Sequence, residues 1–309
     1  MHSPVSVVTI VKSRTEKLCR LIEQLESCNP LPDELVIVWM CSPSTLSLAK
    51  SEKFNIVHKF VANGALPIAR ARNRGLQEAK SNLLAYINVD AIVDKNFIAK
   101  GMNAWCPGSV VFTKVTFVPE SQWTFPHDTL CHIKSQELPD EDNNEIPSRQ
   151  QEDDHGKFSD DSICSTVFFI SKTDFKKTGG FDEGYDGFGL NDEDFFTNCR
   201  SLGFSLNQIE LQTFAPERPN YRCPINHLLD FVRNAERYHA KWGVNPCIDV
   251  LNAYAEAGYI NEDFETAGIH VLQFLKRECY CLLLINQNST SQIGKYRHRF
   301  PIKESGGVQ

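Results

Sequence analysis

The sequence has no apolar run near the roughly 18–20 residues a membrane-crossing helix needs. Its opening, MHSPVSVVTIVKSR, has no basic stretch before the apolar one and no small-residue cleavage site, so it reads as a first β-strand. Positive charge is not in excess. Against 32 Lys and Arg stand 39 Asp and Glu, a net charge of −7, which disfavours a nucleic-acid duplex or an anionic membrane as partner. Among eleven cysteines there is no C-x-x-C pair. An odd number spread through apolar segments reads as reduced thiols in the cytoplasm, not a disulfide framework. Cys279 and Cys281, in the apolar run CYCLLLI, are too close for a familiar zinc spacing and read as small buried hydrophobes. No internal repeat is visible.

What is present is ordinary globular composition: 309 residues, 41% hydrophobic, 23% charged and 10% aromatic. The first third alternates strand and helix. Apolar runs at 5–11, 34–40, 55–61 and 83–93 read as buried strands. Residues 15–25 carry Leu18, Leu21, Ile22 and Leu25 at helical spacing, and 67–80 form a helix with Pro67 in its first turn. This β-α-β-β-α-β order predicts an α/β fold with a mostly parallel sheet flanked by helices. Ligands bind at the carboxyl ends of such strands, which places 11–14 and 88–90 on one rim.

Residues 119–161 hold twelve acidic and three basic residues with no persistent period. They read either as a solvated insertion or as a lid or acceptor-side loop. A strand is expected at 163–171 and a helix from Asp192 to Leu202. Helices follow over 227–243, 249–258 and 264–286, and the last ~20 residues read as a frayed tail. The expected division is a domain over 1–245 and a helical extension over 246–309.

Three segments could carry chemistry. Asp90, just past a buried strand, can hold a hard cation or simply form a turn. Asp192, Glu193 and Asp194 open a helix, where acidic residues are stabilising without any function. The turn GYDGFG directly before them could aim a carboxylate as a general base. In RARNRG (70–75), Arg70 and Arg74 share a helix face. Arg72 could pair with a diphosphate or a strand-end carboxylate, or belong to a basic surface.

At these residues the chain resembles glycosyltransferases of the GT-A fold, family 2. The similar branch has a C-terminal half like that of β-1,4-galactosyltransferases and chondroitin polymerases. ALPIARARNRGLQEAKSNLLAYINVDAIVDKNFI (65–98) resembles the family's LPxAxARNxG…LxFLDxDCxP segment. GGFDEGYDGFGLNDEDFFTNCRSLGF (179–204) resembles GGFDExFxGWGxEDxDLxxRxxxxGF, and FVRNAERYHAKWGVNP (231–246) resembles NxxxFxxKWGxWP. The likeness spans roughly residues 4–260.

The resemblance implies transfer of a hexosyl or N-acetylhexosaminyl group from a nucleotide-sugar donor, most often a UDP-sugar, to a glycan or lipid-linked acceptor. It implies Mn²⁺ or Mg²⁺ at Asp90, the second position of a D-x-D motif whose first position here is Asn88. Thr9, Arg14, Arg72, Asn88 and Asp90 map to the nucleotide-sugar side. Asp192 maps to the base. Gly187, Phe188, Asn191 and Asp194 map to the acceptor or sugar side, with Phe188 in place of the family's Trp and Asn191 in place of its Glu. His227 is the candidate for a metal-binding histidine, and His239 reads as a packing residue. Where the family often has an Asp after the second strand that reads uracil, this chain has WMCSPS. A sugar-nucleotide transferase on a similar sheet would carry glycines in the first strand-to-helix loop, and VKSRTEK has none. The rival reading is a catalytically impaired GT-A protein that binds nucleotide or glycan without turnover. With no transmembrane segment, peripheral membrane contact through the C-terminal helices stays open.

Overall fold

The apolar runs of the first third form the parallel half of one sheet. In the computed structural model, residues 4–43, 48–61, 66–136, 165–217 and 225–273 are described. Strand β1 (Val5–Val11) leads through α1 (Thr15–Glu26) to β2 (Glu34–Trp39) and β3 (Asn55–Phe60), then through α2 (Ile68–Glu78) to β4 (Leu83–Ile87). Helix α3 (Phe97–Ala104), β5 (Ser109–Val118) and α4 (His127–Gln136) follow, then β6 (Val167–Ser171), α5 (Lys172–Thr178), α6 (Asn191–Ser201) and β7 (Ser205–Pro216). Helices α7 (Leu228–Trp242) and α8 (Ile248–Glu256) come next.

The seven strands lie in the order β3-β2-β1-β4-β6-β5-β7. Only β6 is reversed, antiparallel to both β4 and β5. The strands β1, β2, β4 and β6 are buried along their whole length, which is why each reads as a continuous apolar run. Helix α1 covers one face with Leu18, Leu21, Ile22 and Leu25. Helix α2 packs on the other face. A Cβ at Gly75 would stand 2.4 Å from Val8 Cγ1, so a glycine there permits the close approach.

Three sequence expectations are corrected. The strand expected over 83–93 ends at Ile87, because the chain turns at Asn88–Ala91, where Ala91 N–H donates to Asn88 O at 3.0 Å. The apolar residues beyond, Val89, Ile92 and Val93, are buried by tertiary packing, and Ile92 also makes an isolated antiparallel bridge to Phe214 of β7. The acidic stretch begins with ordered structure. A short 3-10 turn at Glu120–Gln122 precedes α4, whose single buried side chain, Leu130, leaves no apolar period to read. Residues 137–161 of that stretch lie outside the described residues. The helix expected over 264–286 is only Phe264–Ala267 among the described residues, ending at Gly268 with φ +82°. Cys279, Cys281 and the frayed tail lie outside the described residues.

Helices α7 and α8 pack on the segment before α6. Leu228, Phe231, Tyr238, Leu251 and Tyr254 share one hydrophobic cluster with Tyr185 and Leu190. His239 is exposed on α7, while Asn234 and Tyr238 take the inward positions that helical periodicity assigns.

Candidate active site

The rim at the ends of β1 and β4 carries a charged cluster. Arg14 Nη1 donates to Asp90 Oδ2 at 2.6 Å, and Lys17 Nζ lies 3.9 Å from the same oxygen. The carboxylate side chain is 6% exposed and the Arg14 side chain 47%. Arg14 sits in the N-cap position of α1 and Lys17 in its first turn, so both cations stand at the start of that helix. Ser13, just before them, holds φ +53°, a strained value of the kind that gathers at ligand sites. Asn88 Oδ1 accepts from Tyr86 OH at 3.0 Å, and its N–H donates to Thr166 O at 2.8 Å. Thr9 is fully buried within β1, and its hydroxyl has no partner among the described residues.

The second cluster forms around Arg72. Its guanidinium lies 4.8 Å from the Tyr86 ring centre and 5.1 Å from that of Phe181. Nη1 donates to Asn191 Oδ1 at 2.7 Å and to Asp192 Oδ1, and Nη2 donates to Ser165 Oγ at 3.2 Å. Ser165 Oγ donates in turn to Asp192 Oδ2. Arg72 is therefore paired with the expected base, not with the Asp90 carboxylate. Tyr86 joins the two clusters, with its ring under Arg72 and its hydroxyl on Asn88.

The rest of the A-R-N-x-G run explains itself by contacts. Asn73 imitates a strand neighbour, accepting from Phe181 N–H at 2.8 Å and donating to Phe181 O at 2.8 Å. Arg70 reaches Glu183, and Arg74 reaches Glu78 and Phe60 O.

The glycine turn before α6 is held by α7. Asn234 Nδ2 donates to the carbonyls of Asp186, Phe188 and Gly189 at 3.0–3.1 Å. Asp230 accepts from Phe188 N–H at 3.3 Å. Gly187 (φ +77°) and Gly189 (φ +91°) supply the left-handed backbone. A Cβ at Gly187 would lie 2.2 Å from Asp230 Oδ2. The Phe188 ring stacks on His227 with centres 4.4 Å apart and planes 16° apart. Asp194 is placed differently. It is buried and accepts from Tyr185 OH (3.1 Å), Trp242 Nε1 (2.8 Å) and Lys241 Nζ (2.9 Å), so its carboxylate ties α6 to α7. Burial, then the Asp194 charge, pushes the Tyr185 hydroxyl up, which keeps it a donor.

Ser165, Tyr86, Asn234, Asp230 and Trp123 escaped the sequence reading. Only Asn234 carried a signal, as the asparagine of the NxxxFxxKWG-like element. As a cation site the Asp90 rim offers one carboxylate and one amide. No group of three or more His, Cys, Asp or Glu able to hold a metal occurs among the described residues. One carboxylate does fit an ion of the Mg²⁺ type, which protein binds through one or two carboxylates while substrate phosphates complete its shell.

Comparisons place this geometry in a family. The description "Glycosyltransferase like family 2" matches residues 32–212, more than half of the chain. The β-1,4-galactosyltransferase 7 of Drosophila melanogaster is 27% identical over 95 residues, covering 31% of this chain and 26% of that protein. The match thus spans about a quarter of that relative's length. Among solved structures, S. aureus TarS 1-349 superposes with a TM-score of 0.55 at 14% identity, covering 92% of this chain and 78% of that one. The same fragment in complex with UDP-GlcNAc gives 0.52 at 15%, covering 82% and 73%. GalNAc-T7 with UDP, GalNAc and Mn²⁺ gives 0.51 at 14%, covering 82% and 54%. At such identities the likeness establishes the fold, the GT-A arrangement of a mixed sheet flanked by helices. The chain belongs to glycosyltransferase family 2.

Proposed function

We propose that this chain is an inverting glycosyltransferase that moves a sugar from a UDP-sugar to an acceptor hydroxyl in glycan or polysaccharide synthesis. The observation that carries the reading is Asp192. It stands on a glycine turn at the start of α6, its side chain is 30% exposed, and Arg72 and Ser165 fix its two oxygens. Asp192 takes the proton of the acceptor hydroxyl as that oxygen attacks the anomeric carbon. The bond from that carbon to the diphosphate oxygen breaks, and the nucleoside diphosphate leaves. A base on the face opposite the leaving group inverts the centre, so an α-linked donor gives a β-linkage.

Arg14 and Lys17 place positive charge beside the rim where the diphosphate would lie. A Mn²⁺ or Mg²⁺ ion, held by Asp90 with Asn88 and His227 as further candidates, would add positive charge at the diphosphate oxygens. Phe188 and Gly187 form the acceptor side, with the Phe188 ring as an apolar face for a sugar. Asn191 orients Arg72 by accepting from its Nη1. The UDP-GlcNAc held by TarS and the UDP and Mn²⁺ held by GalNAc-T7 support the choice of donor and ion. The acceptor is a glycan or a lipid-linked one. No helix among the described residues is long and apolar enough to cross a membrane.

A second reading, nucleotide or glycan binding without turnover, is favoured by Asn88 and Asn191 standing where the family resemblance puts carboxylates. Turnover separates the two. UDP release from a panel of UDP-sugars, with and without Mn²⁺, is measured for wild type and Asp192→Asn, alongside UDP binding by calorimetry. The transferase reading expects release by wild type and its loss in the variant with UDP binding kept. Normal transfer by Asp192→Asn would refute the base assignment, and UDP binding without any release would establish the second reading.

A further inference from the structure

We infer that Trp123 is a positioning residue for the donor side of the site. It holds the Asp90 turn against α1, so that the Asp90 carboxylate and the Arg14 and Lys17 cations stand ready for a nucleoside diphosphate. The inference rests on the UDP-sugar reading above.

Trp123 lies in the segment after β5, 33 residues from Asp90, and is 8% exposed. Its indole N–H donates to the Asp90 carbonyl at 3.1 Å. An indole has one donor, and this one is spent on the backbone of the residue whose side chain faces the two cations. Its ring carries Lys17 Nζ at 5.0 Å and the Arg20 guanidinium at 4.4 Å from the centre. Lys17 thus lies between the Trp123 ring and the Asp90 carboxylate, attracted by both. Arg20 also donates to Phe125 O at 2.5 Å, which ties the same segment to α1 a second time.

The turn is braced from its other side as well. Ile92 and Phe214 exchange backbone hydrogen bonds at 2.8 and 3.0 Å, and both pack with Trp123, Val118 and Leu130 in one small apolar cluster. Leu130 belongs to that cluster without a polar link to Asp90. Packing alone would explain a buried ring at 123. It does not explain the N–H aimed at Asp90 or the two α1 cations over the ring face.

The test compares Trp123→Phe, which keeps a ring for the cations and loses the N–H, with Leu130→Ala, which loosens the same cluster. UDP affinity by calorimetry, donor KM and kcat, and the thermal midpoint are read for each. Trp123→Phe is expected to weaken UDP binding and raise donor KM by about 5–10-fold, the scale of one lost hydrogen bond, with kcat within about twofold of wild type. Leu130→Ala is expected to lower the midpoint while costing less UDP affinity than Trp123→Phe does. Wild-type UDP affinity in Trp123→Phe, or an equal loss in both variants, overturns the inference.

A second readout needs no variant at position 123. In 5-fluorotryptophan protein, the four tryptophan resonances are assigned by replacing Trp39, Trp105 and Trp242 in turn with Phe. UDP is expected to shift the Trp123 resonance. UDP binding that leaves it in place overturns the inference. Failure of the wild type to bind UDP at all would instead overturn the UDP-sugar reading itself.

Discussion

Arg72 and Asp192, 120 residues apart in the chain, form a direct ion pair in which the cation is 5% and the carboxylate 30% exposed. A buried guanidinium stripped of its anion is costly, about 3–5 kcal/mol in buried pairs. Here Asn191 and Ser165 give the same guanidinium neutral acceptors. Asp192→Asn should therefore fold, bind UDP normally and lose about 10²–10⁴-fold in kcat, as expected when a general base is removed. Steady-state kinetics beside a thermal melt checks both halves.

Arg72→Lys is not conservative at this position. A lysine ammonium cannot hold Asn191, Asp192 and Ser165 through one planar fork. If Arg72 serves the base, kcat falls by about 10–100-fold while donor KM stays near wild type. A rise in donor KM with kcat unchanged would return Arg72 to the nucleotide side.

Asn234→Ala removes the donor to three carbonyls of the glycine turn and should cost about 2–3 kcal/mol. Urea denaturation measures that loss. Because the turn aims Asp192, kcat should fall further than stability alone accounts for, even at temperatures where the variant is fully folded.

Gly187→Ala meets two obstacles, a backbone at φ +77° and a Cβ contact at 2.2 Å with Asp230. The backbone term alone is about 1–3 kcal/mol. The double variant Gly187→Ala with Asp230→Ala should recover only the part due to the contact, which a thermal melt of the three proteins separates.

Asp182 ties the turn that opens this region to α7. Burial would raise its carboxyl, but the Gly184 N–H and the Arg237 guanidinium outweigh it and bring the net direction below the ordinary 3.8. Between the two values the unfolded chain binds more protons, so stability rises with pH there. The contribution is complete above about pH 4–5 and is lost as pH falls through the folded value. Asp182→Asn should flatten the acid limb of a midpoint-against-pH curve and leave its shape above pH 6 unchanged.

In the parallel half of the sheet β1, β2 and β4 could be read from sequence because burial on both faces makes each an apolar run, and the half-buried β3 still showed as β-branched residues in NIVHKF. β7 could not. Its residues, SLNQIELQTFAP, are half-buried over the first part, so no face stands out. In the site, Asp90, Arg72 and Asp192 were visible as charges in suggestive places. Their wiring was not, since Arg72 meets Ser165 across 93 residues and Trp123 meets Asp90 across 33. A serine before an apolar strand and a tryptophan in an acidic stretch carry no local mark of such partners. Asp194 shows the converse. Its motif position pointed to the acceptor side, and the fold uses it to join two helices.

The reversal of β6 has an architectural consequence. A parallel strand delivers its last residue to the ligand rim, whereas β6, running the other way, delivers its first. Asn88 at the end of β4 consequently meets Thr166 at the start of β6, and Ser165 arrives beside Asp192. Two polar strand ends thus stand side by side, where a wholly parallel sheet of the same strands would set them at opposite edges.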